Sequence, residues 1–325
     1  MNKKKFTKPR SFHLSDKLWD LWCIVSLIGI WPRFIEPNLL KTTHLTLSIK
    51  NLPNELKGLK IVQFSDLHMN AHVTDRFLNK LQSTIEKLKA DIIVFTGDFL
   101  CYSELHESDR LKKFLNNIHA PHGCFAIFGN HDYESSVSVN EFGDYDLIKQ
   151  ESSMIGKGFK RLFSKAPLTG KTTKAADELS EHTSLRFLLN ETPFELLNNH
   201  TKTLNIRGSH LNICGVGEHM LGRCLTEKAF KGYNKNYPGI VLAHNPDCIP
   251  QLKDYPGDII LCGHTHGAQV NLPWMWKKFI IMENINYKRG LFQFCNKWIY
   301  VNRGVGSVMP FRWFSVPEIL LLTLE

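Results

Sequence analysis

From residue 59 onward the chain repeats one pattern: a short apolar run, a small residue, then a carboxylate, amide or imidazole. Ile92-Ile93-Val94-Phe95 has the look of a strand buried on both faces, and Thr96-Gly97-Asp98 follows it. Leu59–Phe64 runs into Ser65-Asp66-Leu67-His68, and Cys124–Phe128 runs into Gly129-Asn130-His131-Asp132. Later, Gly239–Ala243 precedes His244, and Asp258–Cys262 precedes Gly263-His264-Thr265-His266. Phe77, Leu78, Leu81, Ile85 and Leu88 carry helical spacing between the first two strands, as do Leu111, Phe114, Leu115 and Ile118 before the third. Pro246 sits where a first helical turn accepts proline. Shorter strand-like segments fall at 45–49, 194–197, 204–206, 211–213, 292–301 and 316–323. The pattern predicts an α/β fold with two sheets face to face and helices outside, its polar residues gathered at strand C-terminal ends.

Two stretches depart from this rhythm. Leu21–Trp31 is an eleven-residue apolar run with Trp22 and Trp31 in it and Trp19 just before it, behind a basic N-terminus. Eleven residues fall short of the roughly 20 that span a bilayer, so a helix lying in the membrane interface is expected, with docking on the domain's own core the alternative. Between about 140 and 185 the periodicity fails. There Met154, Ile155, Phe159, Leu162 and Phe163 alternate with basic residues and suggest a short amphipathic helix in an inserted lid, although Gly156 and Gly158 weaken it. A membrane-associated segment over 1–40 and a domain over 41–325, with the insertion at about 140–185, is the expected organisation. Pro273–Phe279 reads either as a membrane-facing or acyl-binding rim or as a packed aromatic loop.

Composition narrows the class. At 325 residues and 43% apolar content, the chain can bury a full core. The net charge is +9, but residues 1–10 carry +5 and residues 149–174 carry +6, leaving −2 for everything else. A nucleic-acid groove would spread its charge across the core, so no nucleic-acid partner is expected; two peripheral basic patches suit an anionic membrane surface. Eight scattered cysteines without a CxxC pair indicate reduced thiols in a cytosol and no thiolate metal site. No feature predicts a protein partner.

The five polar blocks, Asp66-x-His68, Gly97-Asp98, Gly129-Asn130-His131-Asp132, His244 and Gly263-His264-x-His266, occur in the order and setting that resemble the calcineurin-like metallophosphoesterases. The resemblance runs over about residues 43–325. It implies a four-layer αββα sandwich and two metal ions. The first would take Asp66, His68, Asp98 and His266; the second would take Asp98, Asn130, His244 and His264. Asp98, with two oxygens, would bridge them. By the same resemblance His131 stands over the substrate phosphate as a catalytic residue and Asp132 orients its ring. Imidazole and carboxylate ligands suit Mn2+, Fe or Zn, of which Mn2+ is expected. His72, His106, His119, His122, His200, His210 and His219 lie outside the blocks and are expected mostly to be surface side chains.

Within the family, Arg33-Phe34-Ile35-Glu36-Pro37, Arg303-Gly304-Val305-Gly306 and Pro317-Glu318-Ile319 resemble a membrane-associated branch. That branch includes phosphodiesterases and the pyrophosphatases that act on UDP-2,3-diacylglucosamine in lipid A synthesis. It implies a hydrolase peripheral on the cytoplasmic face of the inner membrane, splitting a lipid-linked nucleotide sugar into UMP and 2,3-diacylglucosamine 1-phosphate. A broad phosphodiesterase or phospholipid hydrolase at the membrane surface is the alternative enzyme. A binding module that keeps only the fold would be expected to have lost ligand positions, and none is missing here.

Overall fold

The computed structural model describes residues 14–148 and 167–325. The strands are β1 Lys41–Leu47, β2 Lys60–Phe64, β3 Ile92–Thr96, β4 Cys124–Ile127, β5 Val137–Val139, β6 Tyr145–Leu147, β7 Phe194–Leu196, β8 His200–Ile206, β9 Ser209–Gly215, β10 Gly239–Leu242, β11 Ile259–Cys262, β12 Gly290–Phe294, β13 Lys297–Val301 and β14 Glu318–Leu324. One six-stranded sheet has the order β1-β14-β2-β3-β4-β7, and the other has the order β12-β13-β11-β10-β9-β8. In each, the central strands run parallel, β2 beside β3 beside β4 and β9 beside β10 beside β11.

Alternation along the strands builds the layers. Ile92 and Val94 of β3 point into a core shared with Ile240, Leu242, Ile259 and Leu261 of the second sheet. Ile93 and Phe95 point the other way, onto Leu78 and Leu81 of helix α2 (Asp75–Leu88) and Phe114 and Leu115 of α3 (Ser108–Asn116). The far face of the second sheet packs Val241, Ile260 and Ile299 against Ile249 and Leu252. This is the four-layer αββα sandwich. A strand covered on both faces needs apolar residues at every position, which is why these runs lack the one-sided alternation of an exposed sheet.

The N-terminal segment differs from expectation. Helix α1 (Leu14–Val25) continues through a wider π-helical stretch, Ser26–Ile35, and a 3-10 turn, Glu36–Asn38. Lys17–Asn38 is thus one helix of 22 residues, long and apolar enough to cross a membrane. The eleven-residue run stopped at Pro32, but widened turns carry the helix past a proline that cannot donate its hydrogen bond. Nor does this helix dock on the core along its length, for Leu18, Trp19, Leu21 and Trp22 are all more than half exposed.

The suggested helix over 154–163 lies outside the described residues. Around it, β5 and β6 form a small antiparallel hairpin where the periodicity had already failed. Strands of three residues are too short to display a period. In the 273–279 stretch the two readings divide between neighbours: Trp276 packs near Ala268, Ile280 and Met282, whereas Trp274 projects into solvent.

Candidate metal centre

The parallel strands of both sheets end at one edge, and the loops that follow them converge there. The sheets are tied at this edge by Gln63, whose Nε2 donates to Cys262 O at 2.9 Å. Asp66 reaches across as well, its Oδ1 accepting the His264 N–H at 3.0 Å. Asp66, His68, Asp98, His264 and His266 all have positive φ, between 46° and 69°. Asp and His are among the residues that enter this left-handed region most readily, at a cost of about 1–3 kcal/mol each, which only a heavily bonded surrounding sustains. Gly129 meets a different demand. A Cβ there would stand 2.3 Å from Asp98 Oδ1 and 2.7 Å from His244 Cε1, so only glycine lets the third loop approach.

Eight of the nine side chains named from the sequence, Asp66, His68, Asp98, Asn130, His131, His244, His264 and His266, meet in one cluster. Ligand atoms of Asp66, His68 and His266 lie within 4.8 Å of one another, as do those of Asp98, His244 and His264. Asp98 Oδ2 stands between the two groups, 3.5 Å from His68 Nε2 and 3.3 Å from His244 Nε2. Its Oδ1 is taken by the His131 N–H at 2.9 Å. Oδ2 is therefore the oxygen that faces both groups. Asn130 donates its amide to Val137 O at 2.8 Å, which turns Oδ1 toward His244 and His264, at 3.2 and 3.1 Å.

Hydrogen bonds behind the rings decide which nitrogen faces inward. His68 Nδ1 meets Leu100 O at 3.0 Å and His244 Nδ1 meets Thr96 O at 2.7 Å, so each puts its proton outward and an Nε2 lone pair into the cluster. His131 is reversed. Its Nδ1 accepts the Tyr102 N–H at 3.0 Å and faces Ser136 Oγ at 3.2 Å, so Nε2 carries the proton. A ring of that tautomer is a donor at Nε2, and His68, Asp98 and His131 also lie close enough to form a third group. His266 has the same polarity, with Arg312 Nη2 donating to its Nδ1 at 3.1 Å and Nε2 lying 3.0 Å from His68 Nε2.

Burial pushes His68 and His264 down to about 3, leaving neutral imidazoles. It also lowers His131, against the pull of Asp98. Burial raises Asp66 to about 7. Asp98 goes the other way: burial opposes its charge, but His244 and His131 hold it well below the usual carboxylate range. Imidazoles, a carboxylate oxygen facing both groups and an amide oxygen form a donor set suited to a dinuclear centre, and all eight cysteines lie outside it.

Asp132 does not orient the His131 ring. Its Oδ2 accepts the Asp98 and Gly129 N–H groups at 2.7 and 2.9 Å, and its Oδ1 accepts the Leu100 N–H at 3.0 Å. Both oxygens are spent on the backbone of the ligand loops, and Tyr102 and Ser136 hold the ring instead. Asp132→Asn should turn an amide N–H toward one of these donors and cost about 1–3 kcal/mol. Urea unfolding measures it; unchanged stability would contradict the stapling role. Ser136 and Tyr102 had no signal in the sequence, being an ordinary serine and a backbone amide. Of the remaining histidines, His219 departs from the expected surface role: its Nε2 meets Glu283 Oε1 at 3.0 Å, and the same oxygen accepts the Tyr145 hydroxyl at 2.7 Å.

Comparison with known proteins agrees with this geometry. Residues 59–268 match the family described as calcineurin-like phosphoesterase. The UDP-2,3-diacylglucosamine pyrophosphatase LpxG of Chlamydia trachomatis is 41% identical over 310 residues, covering 91% of this chain and 92% of the relative. The uncharacterized metallophosphoesterase YkuE of Bacillus subtilis is 29% identical, over 91% of this chain and 89% of its own. Phosphodiesterase YaeI of Escherichia coli is 27% identical, covering 82% of each chain. With the family matched over most of the chain and the His/Asp cluster assembled at the shared sheet edge, the protein belongs to the calcineurin-like phosphoesterases and is a metal-dependent hydrolase.

Proposed function

We propose that this protein hydrolyses the pyrophosphate of UDP-2,3-diacylglucosamine, releasing UMP and 2,3-diacylglucosamine 1-phosphate. The observation that carries the reading is the similarity to LpxG across nine-tenths of both chains, joined to a donor cluster that shares Asp98 Oδ2. In this reading Asp66, His68, Asp98 and His266 hold one cation, and Asp98, Asn130, His244 and His264 hold the other, with Mn2+ the metal. A bound pair of divalent cations supplies an activated water and neutralises phosphoryl oxygens. His131, with its proton on Nε2, donates to the phosphate or to the departing oxygen. Asp132 keeps the loops of Asp98 and Asn130 in register.

The exposed helix Lys17–Asn38 and the exposed Trp274 support contact with a membrane, and the basic residues at the N-terminus favour an anionic one. A lipid-linked substrate resident in the cytoplasmic leaflet then needs no carrier. The testing experiment is UMP release from UDP-2,3-diacylglucosamine in mixed micelles with Mn2+. Turnover of bis-(p-nitrophenyl) phosphate without UMP release would replace this reading by the broad phosphodiesterase that the likeness to YaeI suggests. For the second site, Asn130→Ala should leave about one metal per chain by elemental analysis. Two metals per chain in that variant would reject the assignment.

A further inference from the structure

Glu36 is almost completely buried, although most of the helix it ends is not. Its carboxylate accepts the Trp31 indole N–H at 2.8 Å and the Phe314 N–H at 3.0 Å, and it bonds the Ser315 N–H as well. Arg33 Nη1 donates to Pro310 O at 3.2 Å, and the Arg312 N–H donates to Pro32 O at 2.8 Å. The last helical turn therefore grips residues 310–316 along one side. The other side of the same loop faces the metal centre. Arg312 is fully buried, and its guanidinium donates to Arg303 O at 2.9 Å, Ser315 O at 3.0 Å, Gly304 O at 3.2 Å and Gly306 O. It also reaches His266 Nδ1, while Ser315 Oγ donates to His266 O at 2.5 Å.

A loop that closes on itself needs neither contact. A guanidinium fixed by four carbonyls is a rigid fork, and a carboxylate is the one group here able to take three N–H donors from the helix and the loop together. We propose that Glu36 and Arg312 are positioning residues for His266, so that the end of the N-terminal helix sets where that imidazole stands and is coupled to the first cation site. The proposal rests on the metal centre assigned above. It gives the Arg33–Pro37 stretch a role beyond anchoring. By reciprocity, a cation bound at the first site stabilises the helix end against the loop.

Co2+ titration of the metal-stripped full-length protein in detergent, followed by calorimetry and by the visible spectrum, tests it. Wild type should take two equivalents. Glu36→Gln should weaken one of them by about 10–100-fold, the usual effect of removing support behind a ligand, and leave the other unchanged. In the Asn130→Ala background, which retains the first site, the same change should weaken the remaining equivalent. Arg312→Lys keeps the charge but loses the fork, and should reproduce the selective loss; Glu36→Asp should restore part of it. Unchanged affinities, a rise at the first site, or an equal fall at both would overturn the proposal, since a helix that only anchors, or a loop that only stabilises, gives those results. A wild type that binds fewer than two equivalents points instead to failure of the metal-centre reading, and removes the basis of the proposal with it.

Discussion

Asp98→Ala protein should come off the column with neither cation and with turnover reduced by about a thousandfold or more. Asp98 Oδ2 stands within 3.5 Å of a histidine from each group, so its loss opens both sets at once. A bound cation contributes several kcal/mol of transition-state stabilisation, and about 4 kcal/mol already corresponds to that factor. The substitution also leaves the His131 N–H without its acceptor. Elemental analysis beside kcat on a chromogenic diester separates the causes. Retention of either metal at full stoichiometry would show that Asp98 is not shared.

His131→Ala should keep both metals and lose about 10²–10⁴-fold in kcat, the range of a missing general acid or base. Tyr102 N–H and Ser136 Oγ occupy Nδ1, so Nε2 carries the proton that a general acid gives up. The loss should fall on kcat more than KM, because a donor to the departing oxygen gains strength in the transition state. A leaving group of low pKa should feel it less than a poor one. Should His131→Ala lose one metal, the His68–Asp98–His131 group would be the true ligand set and His131 would not be the proton donor.

These two expectations draw on different depths of information. That Asp98 and His131 belong to one site was legible along the chain, because each follows an apolar run of strand length and both such strands are parallel and buried. Periodicity, residue type and block order lie within short windows, and they sufficed for the αββα architecture and for the gathering of eight side chains at one edge. The length of the N-terminal helix was misjudged from such a window. Pro32 marks a helix end by local rules, yet here the turns widen around it and the helix runs to Asn38.

What the sequence determined is therefore the layering of the sheets and the membership of the cluster, since both follow from local alternation and from the short reach of a loop after a strand. Only the tertiary structure decided how the members are held: which ring nitrogen faces inward, that Asp98 turns one oxygen to both groups, that Asp132 staples backbone, and that Glu36 meets Ser315 across 279 residues of chain. Each of those depends on a hydrogen-bond partner supplied by a different loop. No window of sequence contains both partners, and a side chain's direction is fixed only when the second one arrives.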